Sequence, residues 1–138
     1  MKASWFYKIA AVLLLLFSVG HTLGFRQSDP QWKVDALVAD MQKIHFNAQG
    51  FDRSYWDFFV GFGLFVSVFL LFAAILAWQL SGMKAEILAM IPAVKWSLAL
   101  CFIGITILSW KYFFVVPVVF SSVIMLCLIV AAWLPNKT

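Results

Sequence analysis

Four apolar runs, each long enough to cross a bilayer as a helix, limit the fold of this chain more than any other feature. The runs cover residues 5–25, 55–80, 91–110 and 113–133. A helix needs about 20 mostly apolar residues to span the hydrocarbon core. Because lipid-exposed backbone must satisfy its own hydrogen bonds, runs of this kind are expected to be helical. The sequence therefore predicts four transmembrane helices.

The composition supports a membrane protein. Hydrophobic residues make up 64% of the 138 residues and charged residues 12%, with a mean hydropathy of +0.97. A soluble domain is about half apolar and about a quarter charged. We therefore predict an all-α membrane protein, in which residues 1–138 form a single domain. Its expected architecture is a four-transmembrane-helix antiparallel bundle with both termini on one side.

The connection between the first two runs is polar and has a helical pattern. Asp29 can cap a helix that has Pro30 at its first position. The apolar residues that follow recur at helical spacing: Val34, Leu37, Val38, Met41 and Ile44. The pattern predicts an amphipathic surface helix over residues 30–46, with its apolar face on the membrane surface or on the mouth of the bundle.

Polar side chains gather on one membrane face in this topology. That face receives the end of the first run, the start of the second, and the turn between the third and fourth. Its polar, basic and aromatic residues are His21, Thr22, Arg26, Arg53, Tyr55, Asp57, Trp110, Lys111 and Tyr112. Polar groups at membrane depth are costly and often functional. These nine residues are therefore the candidate ligand-binding site.

Each candidate also has a structural interpretation. His21 is suited to act as an acid, a base or a ligand, or to hydrogen-bond a neighbouring helix. Asp57 is suited to act as a general base, to pair with Arg53 or His21, or to complete a capping box with Ser54. The basic residues among the nine are suited to bind a lipid phosphate or to extend to the interface.

Small residues recur at two places in the apolar runs. Gly20 and Gly24 form a GxxxG pair, and Gly61, Gly63 and Ser67 form a second small-residue face. Residues of this kind allow two membrane helices to approach closely. Both sets are therefore expected to pack against helices.

Several chemistries are disfavoured. A structural zinc site uses about four Cys or His ligands, and the two histidines and two cysteines here are scattered along the chain. We expect no metal and no cofactor. The net charge of +4 is spread over the connections, so we expect no nucleic-acid partner.

Three segments resemble those of a known family. They are Gly20-His21-Thr22-Leu23-Gly24, Arg53-Ser54-Tyr55-Trp56-Asp57 and Gly61-Phe62-Gly63. They look like the corresponding segments of an uncharacterised family of small bacterial four-helix integral membrane proteins. The resemblance implies a bundle in the bacterial plasma membrane and brings no established activity.

The orientation in that membrane depends on basic residues. One side carries Lys2, Lys8, Lys84, Lys95 and Lys137, and the other carries Arg26, Lys33, Lys43, Arg53 and Lys111. Because the two sides are equal in number and the first helix often dominates topology, its basic amino end places both termini in the cytoplasm.

Three functions remain open at this point. The leading hypothesis is a protein that binds an amphipathic lipid-like ligand in a one-sided polar pocket, bounded by His21, Arg53, Tyr55 and Asp57, or that acts as an accessory subunit. The second is an intramembrane enzyme with His21 and Asp57 as an acid-base pair. The third is a purely structural assembly subunit. The expected partners are membrane lipids, with a homo-oligomer or a membrane-protein partner as further alternatives.

Overall fold

A computed structural model describes residues 3–134 and shows an all-α membrane protein with a small antiparallel strand pair. Four of its helices are long and apolar enough to cross a membrane: α1 (Ala3–Gly24), α3 (Tyr55–Gly82), α5 (Pro92–Tyr112) and α6 (Val115–Trp133). The four-span prediction is confirmed. The shorter helices are α2 (Asp35–Lys43) and α4 (Ala85–Met90).

Local sequence explains several helix ends. Pro92 occupies the first turn of α5, where its missing N–H is not needed. The same helix ends at Tyr112, and the extended residues Phe113 and Phe114 lead directly into α6. A connection this short makes α5 and α6 antiparallel neighbours, and they pack against each other.

The described residues divide into two compact units. The first unit contains residues 3–17 and 70–134, and the second unit contains residues 18–69. The core of the first unit is rich in alanine, which allows close helix packing. Its most buried members are Tyr7, Ala10, Leu14, Leu70, Ala73, Ala77, Leu80, Ala99, Phe102, Ile124, Leu128 and Ala131.

The polar connection in the second unit contains less helix than the sequence pattern predicted. Instead of one helix over residues 30–46, a 3₁₀ turn at Pro30–Trp32 precedes α2. Asp29 caps the 3₁₀ turn by accepting a hydrogen bond from the Gln31 N–H at 2.8 Å. The helix does not continue because Lys33 adopts a left-handed conformation with φ 52°. The apolar stripe is also only partly covered, since Leu37 and Ile44 are exposed.

A β-hairpin follows α2, and the sequence pattern did not predict it. Strand β1 (His45–Ala48) pairs with strand β2 (Phe51–Ser54). Gln49 and Gly50 form the turn, with φ values of 54° and 94°. Two successive residues with positive φ are typical of the type I′ turn, whose twist matches that of the flanking strands. The Asn47 side chain strengthens this turn by accepting the Gly50 N–H at 2.6 Å.

Candidate functional site

Within the second unit, α1 and α3 share a small polar contact. The Ser18 hydroxyl donates to the Ser67 carbonyl at 2.9 Å, and His21 Nδ1 hydrogen-bonds Ser67 Oγ at 3.1 Å. Ser67 Oγ also donates to the Gly63 carbonyl at 3.3 Å, and Thr22 donates to the Ser18 carbonyl at 2.7 Å. The first two bonds join α1 to α3, as hydrogen bonds between membrane helices do where lipid offers the polar groups no partner.

An aromatic side chain extends the same contact. The Phe25 ring stacks on His21 at 5.1 Å and lies 6.0 Å from the Phe59 ring. It occupies the space beside Gly63, where any Cβ would overlap it. With Phe25 in this position, residue 63 has no room for a Cβ, and glycine is the residue that fits there.

Asp57 has a local role. Its N–H donates to Ser54 Oγ at 3.2 Å, while its Oδ2 accepts the Ser54 N–H at 2.8 Å and the Ser54 hydroxyl at 3.1 Å. This reciprocal pattern is the predicted capping box at the start of α3. Within residues 3–134, no hydrogen bond joins Asp57 to His21, and the His21 ring bonds Ser67 instead.

Arg53 lies in β2, whereas Asp57 lies in the first turn of α3. Gly20 and Gly24 were expected to lie against another helix, but no atom lies within 4 Å of a Cβ added at either position. The α1–α3 contact instead uses a different face of α1, through Ser18 and His21.

Five aromatic rings form a continuous series in the second unit, which we call the aromatic ladder: Phe46, Tyr55, Phe58, Phe62 and Phe65. Phe46 lies 5.0 Å from Tyr55 and 5.8 Å from Phe58. The series continues through Phe58–Phe62 at 6.4 Å and Phe62–Phe65 at 6.3 Å. Phe62 and Phe65 are 63% and 71% exposed, so the ladder is an accessible surface.

Arg53 lies at the hairpin end of the ladder. It pairs with Phe46 across the hairpin, so the two side chains share one face. Its guanidinium lies 5.4 Å above the Phe51 ring and donates from Nη1 to the Asp52 carbonyl at 2.6 Å. On the opposite face, His45 Nδ1 hydrogen-bonds Asp52 Oδ2 at 3.1 Å.

The remaining candidates lie in different surroundings. Arg26 is exposed, with its guanidinium 5.4 Å above the Phe25 ring. Trp110, Lys111 and Tyr112 belong to the first unit, at the exposed end of α5. There the Lys111 amine lies 5.1 Å from the Tyr112 ring.

The sequence analysis selected Tyr55 of the ladder and the adjacent Arg53, but it missed the other four rings of the ladder. A signal was present, because aromatic residues at positions 55, 58, 62 and 65 recur at the spacing of one helical face. This aromatic spacing is hard to recognise in the sequence because nearly all residues of the second apolar run are hydrophobic. Phe46 gave no such signal, since its position depends on the unpredicted hairpin.

The described part of the chain contains no group of three or more His, Cys, Asp or Glu residues that could hold a metal ion. Comparison with protein-family models, with curated proteins and with solved structures finds no match. The function must therefore be inferred from the geometry of the chain.

Proposed function

We propose that this membrane protein binds an amphipathic, lipid-like molecule, with the apolar chain of the ligand lying along the aromatic ladder. The observation that supports this function is the continuous series of rings that begins at Phe46 in the polar hairpin and runs along the exposed surface of α3. Aromatic rings offer a large and rigid apolar surface. A polar segment at one end and an apolar surface beyond it match the two parts of an amphipathic ligand.

The length of the ladder matches the hydrocarbon thickness of one bilayer leaflet, and so the reach of a lipid acyl chain. Tyr55 and Phe65 are ten residues apart in α3. At 1.5 Å per residue this corresponds to about 15 Å along the helix. The hydrocarbon core is about 30 Å thick, so one leaflet contributes about half of it. An acyl chain that begins beside Tyr55 would therefore reach the last ring near the bilayer centre.

The acid-base enzyme is less well supported. Its two proposed groups hydrogen-bond elsewhere, His21 to Ser67 and Asp57 to Ser54. A general acid or base must lie within hydrogen-bond reach of the group that it serves. The internal bonds of both side chains favour structural roles.

A second candidate, an accessory subunit, is favoured by the open face at Gly20 and Gly24. Both glycines are exposed, with no atom within 4 Å of a Cβ added at either one. Their spacing would allow a helix of another chain to approach. The variant Gly20→Leu/Gly24→Leu should then lower the subunit count in native mass spectrometry, whereas Gly104→Leu, also in open space, should not. An unchanged count in the double variant would remove this candidate.

The cellular setting is a further part of the proposal. The resemblance to bacterial four-helix membrane proteins supports a bacterial plasma membrane. The basic amino end of the chain supports cytoplasmic termini.

Lipid retention tests the main proposal. Native mass spectrometry of gently extracted protein should show lipid bound to the wild-type chain. Phe62→Leu/Phe65→Leu should lower the retained fraction about fivefold, because each substitution removes part of the ring surface. The matched control is Phe113→Leu/Phe114→Leu, which changes two similarly exposed rings (63% and 57%) outside the ladder. Equal retention in wild type and ladder variant would contradict the proposal.

A further inference from the structure

We infer that Arg53 is the headgroup site of the aromatic ladder and that it binds the phosphate of a membrane phospholipid. The inference rests on the proposed lipid-binding function and adds the chemical class of the ligand. Three features of Arg53 support it: the face that the side chain occupies, the contacts that hold its guanidinium, and its depth in the membrane.

The hairpin separates its side chains into two chemically different faces. Directly paired residues share a face, as do residues two apart along one strand. Phe46, Phe51 and Arg53 therefore lie on one face, and His45 and Asp52 on the other. Since Phe46 contacts Tyr55 and Phe58, the face that carries Arg53 is the one continuous with the ladder.

Two contacts fix the Arg53 guanidinium without neutralising its charge. These are the hydrogen bond to the Asp52 carbonyl and the position above the Phe51 ring. The Asp52 carboxylate lies 3.1 Å from His45 Nδ1 and not against Arg53, and the Asp57 carboxylate interacts with Arg53 electrostatically without forming a salt bridge with it. Arginine carries five N–H donors, so donors remain after the bond to Asp52. A planar guanidinium with free donors is suited to bidentate phosphate binding.

The position of Arg53 along the chain matches the depth of a lipid phosphate. Arg53 precedes Tyr55, the first residue of the α3 span, by two positions. Basic residues at this level meet the headgroup region, whereas the rings that follow lie in the hydrocarbon. A phospholipid with its phosphate on Arg53 would thus have an acyl chain beside Phe58 and Phe62.

The test compares two lipids with identical acyl chains, phosphatidylglycerol and diacylglycerol, added to the full chain in detergent micelles. Native mass spectrometry measures the bound fraction of each. We expect wild-type protein to prefer phosphatidylglycerol about tenfold, as charge-assisted hydrogen bonds support. Arg53→Gln should abolish this preference. Arg53→Lys should retain part of the preference, because lysine keeps the positive charge but not the planar guanidinium.

Lys43→Gln is the matched control. Lys43 is exposed in the last turn of α2, and its substitution removes the same charge from the polar segment but outside the ladder. Its variant should retain the wild-type preference. The inference is overturned if Arg53→Gln keeps the preference, or if both variants lose it equally. Binding of both lipids without any preference would overturn the headgroup site alone, whereas no binding of either would also remove the proposed function.

Discussion

At the residue scale, Gly63 is the glycine whose missing Cβ leaves room for a neighbouring ring in the second unit. Gly63 leaves space for the Phe25 ring, and this ring in turn stacks on His21. Gly61, two residues earlier, has open space where a Cβ would lie, with no atom within 4 Å. Neighbouring glycines on one helix thus have different roles, set by what faces each of them.

The first prediction concerns this contact. Gly63→Ala should destabilise the protein by about 1–3 kcal/mol, because the added methyl displaces Phe25 from its stack. Gly61→Ala is the control and should have little effect. Thermal unfolding in detergent measures both, and Phe25→Ala in the Gly63→Ala background should show non-additive loss. Equal stability of the two alanine variants would contradict the packing role of Gly63.

The second prediction concerns Asp57. Asp57→Ala should cost about 0.5–2 kcal/mol of stability, because it removes the side-chain half of the capping box. Asp57→Asn keeps an acceptor oxygen for the Ser54 N–H and should retain most of that stability. The same unfolding measurement applies. If alanine is tolerated as well as asparagine, the observed hydrogen bonds do not stabilise the start of α3.

At the element scale, the hairpin connects the surface segment to the membrane span. It supplies Phe46 to the ladder and positions Arg53 beside it. An isolated two-stranded hairpin is only marginally stable in water. Here α2 packs against β2, and Ser54 joins β2 directly to α3. The function proposed for the ladder therefore depends on the turn at Gln49 and Gly50.

The third prediction tests that turn. Gly50→Ala should weaken the hairpin by about 1–2 kcal/mol, since a positive φ is costly for residues with a Cβ. Gln49→Asn should have the opposite effect, because Asn-Gly is a preferred type I′ pair. Amide hydrogen exchange of residues 45–54 reports both changes. Faster exchange in Gln49→Asn than in wild type would contradict the assigned turn.

At the scale of the whole molecule, four membrane spans form the framework. Four spans predict that both ends of the chain are on one side of the membrane. The same count predicts that the segment between α1 and α3, with α2 and the hairpin, is on the opposite side.

The fourth prediction is therefore topological. Reporter fusions placed after Thr138 and near Gln42 should report opposite sides of the membrane, with the carboxyl-terminal fusion in the cytoplasm. A compartment-specific reporter pair, active in the cytoplasm or outside it, makes the measurement. The same side for both positions would contradict the four-span topology, whereas opposite sides in reverse order would contradict only the orientation.

The sequence by itself determined the spans and the capping box, because both depend on neighbouring residues. The length of an apolar run decides whether a helix can cross lipid, and Ser54 meets Asp57 three residues later in the chain.

Only the tertiary structure decided which faces pack and which remain open. His21 finds its partner 46 residues away in Ser67, and the packed glycine is Gly63 instead of Gly20 or Gly24. In a soluble helix the apolar stripe reveals the buried face. These membrane helices are apolar all round, so the buried side is chosen by the fit of side chains across the interface. The aromatic ladder likewise required the hairpin to bring Phe46 to Phe58.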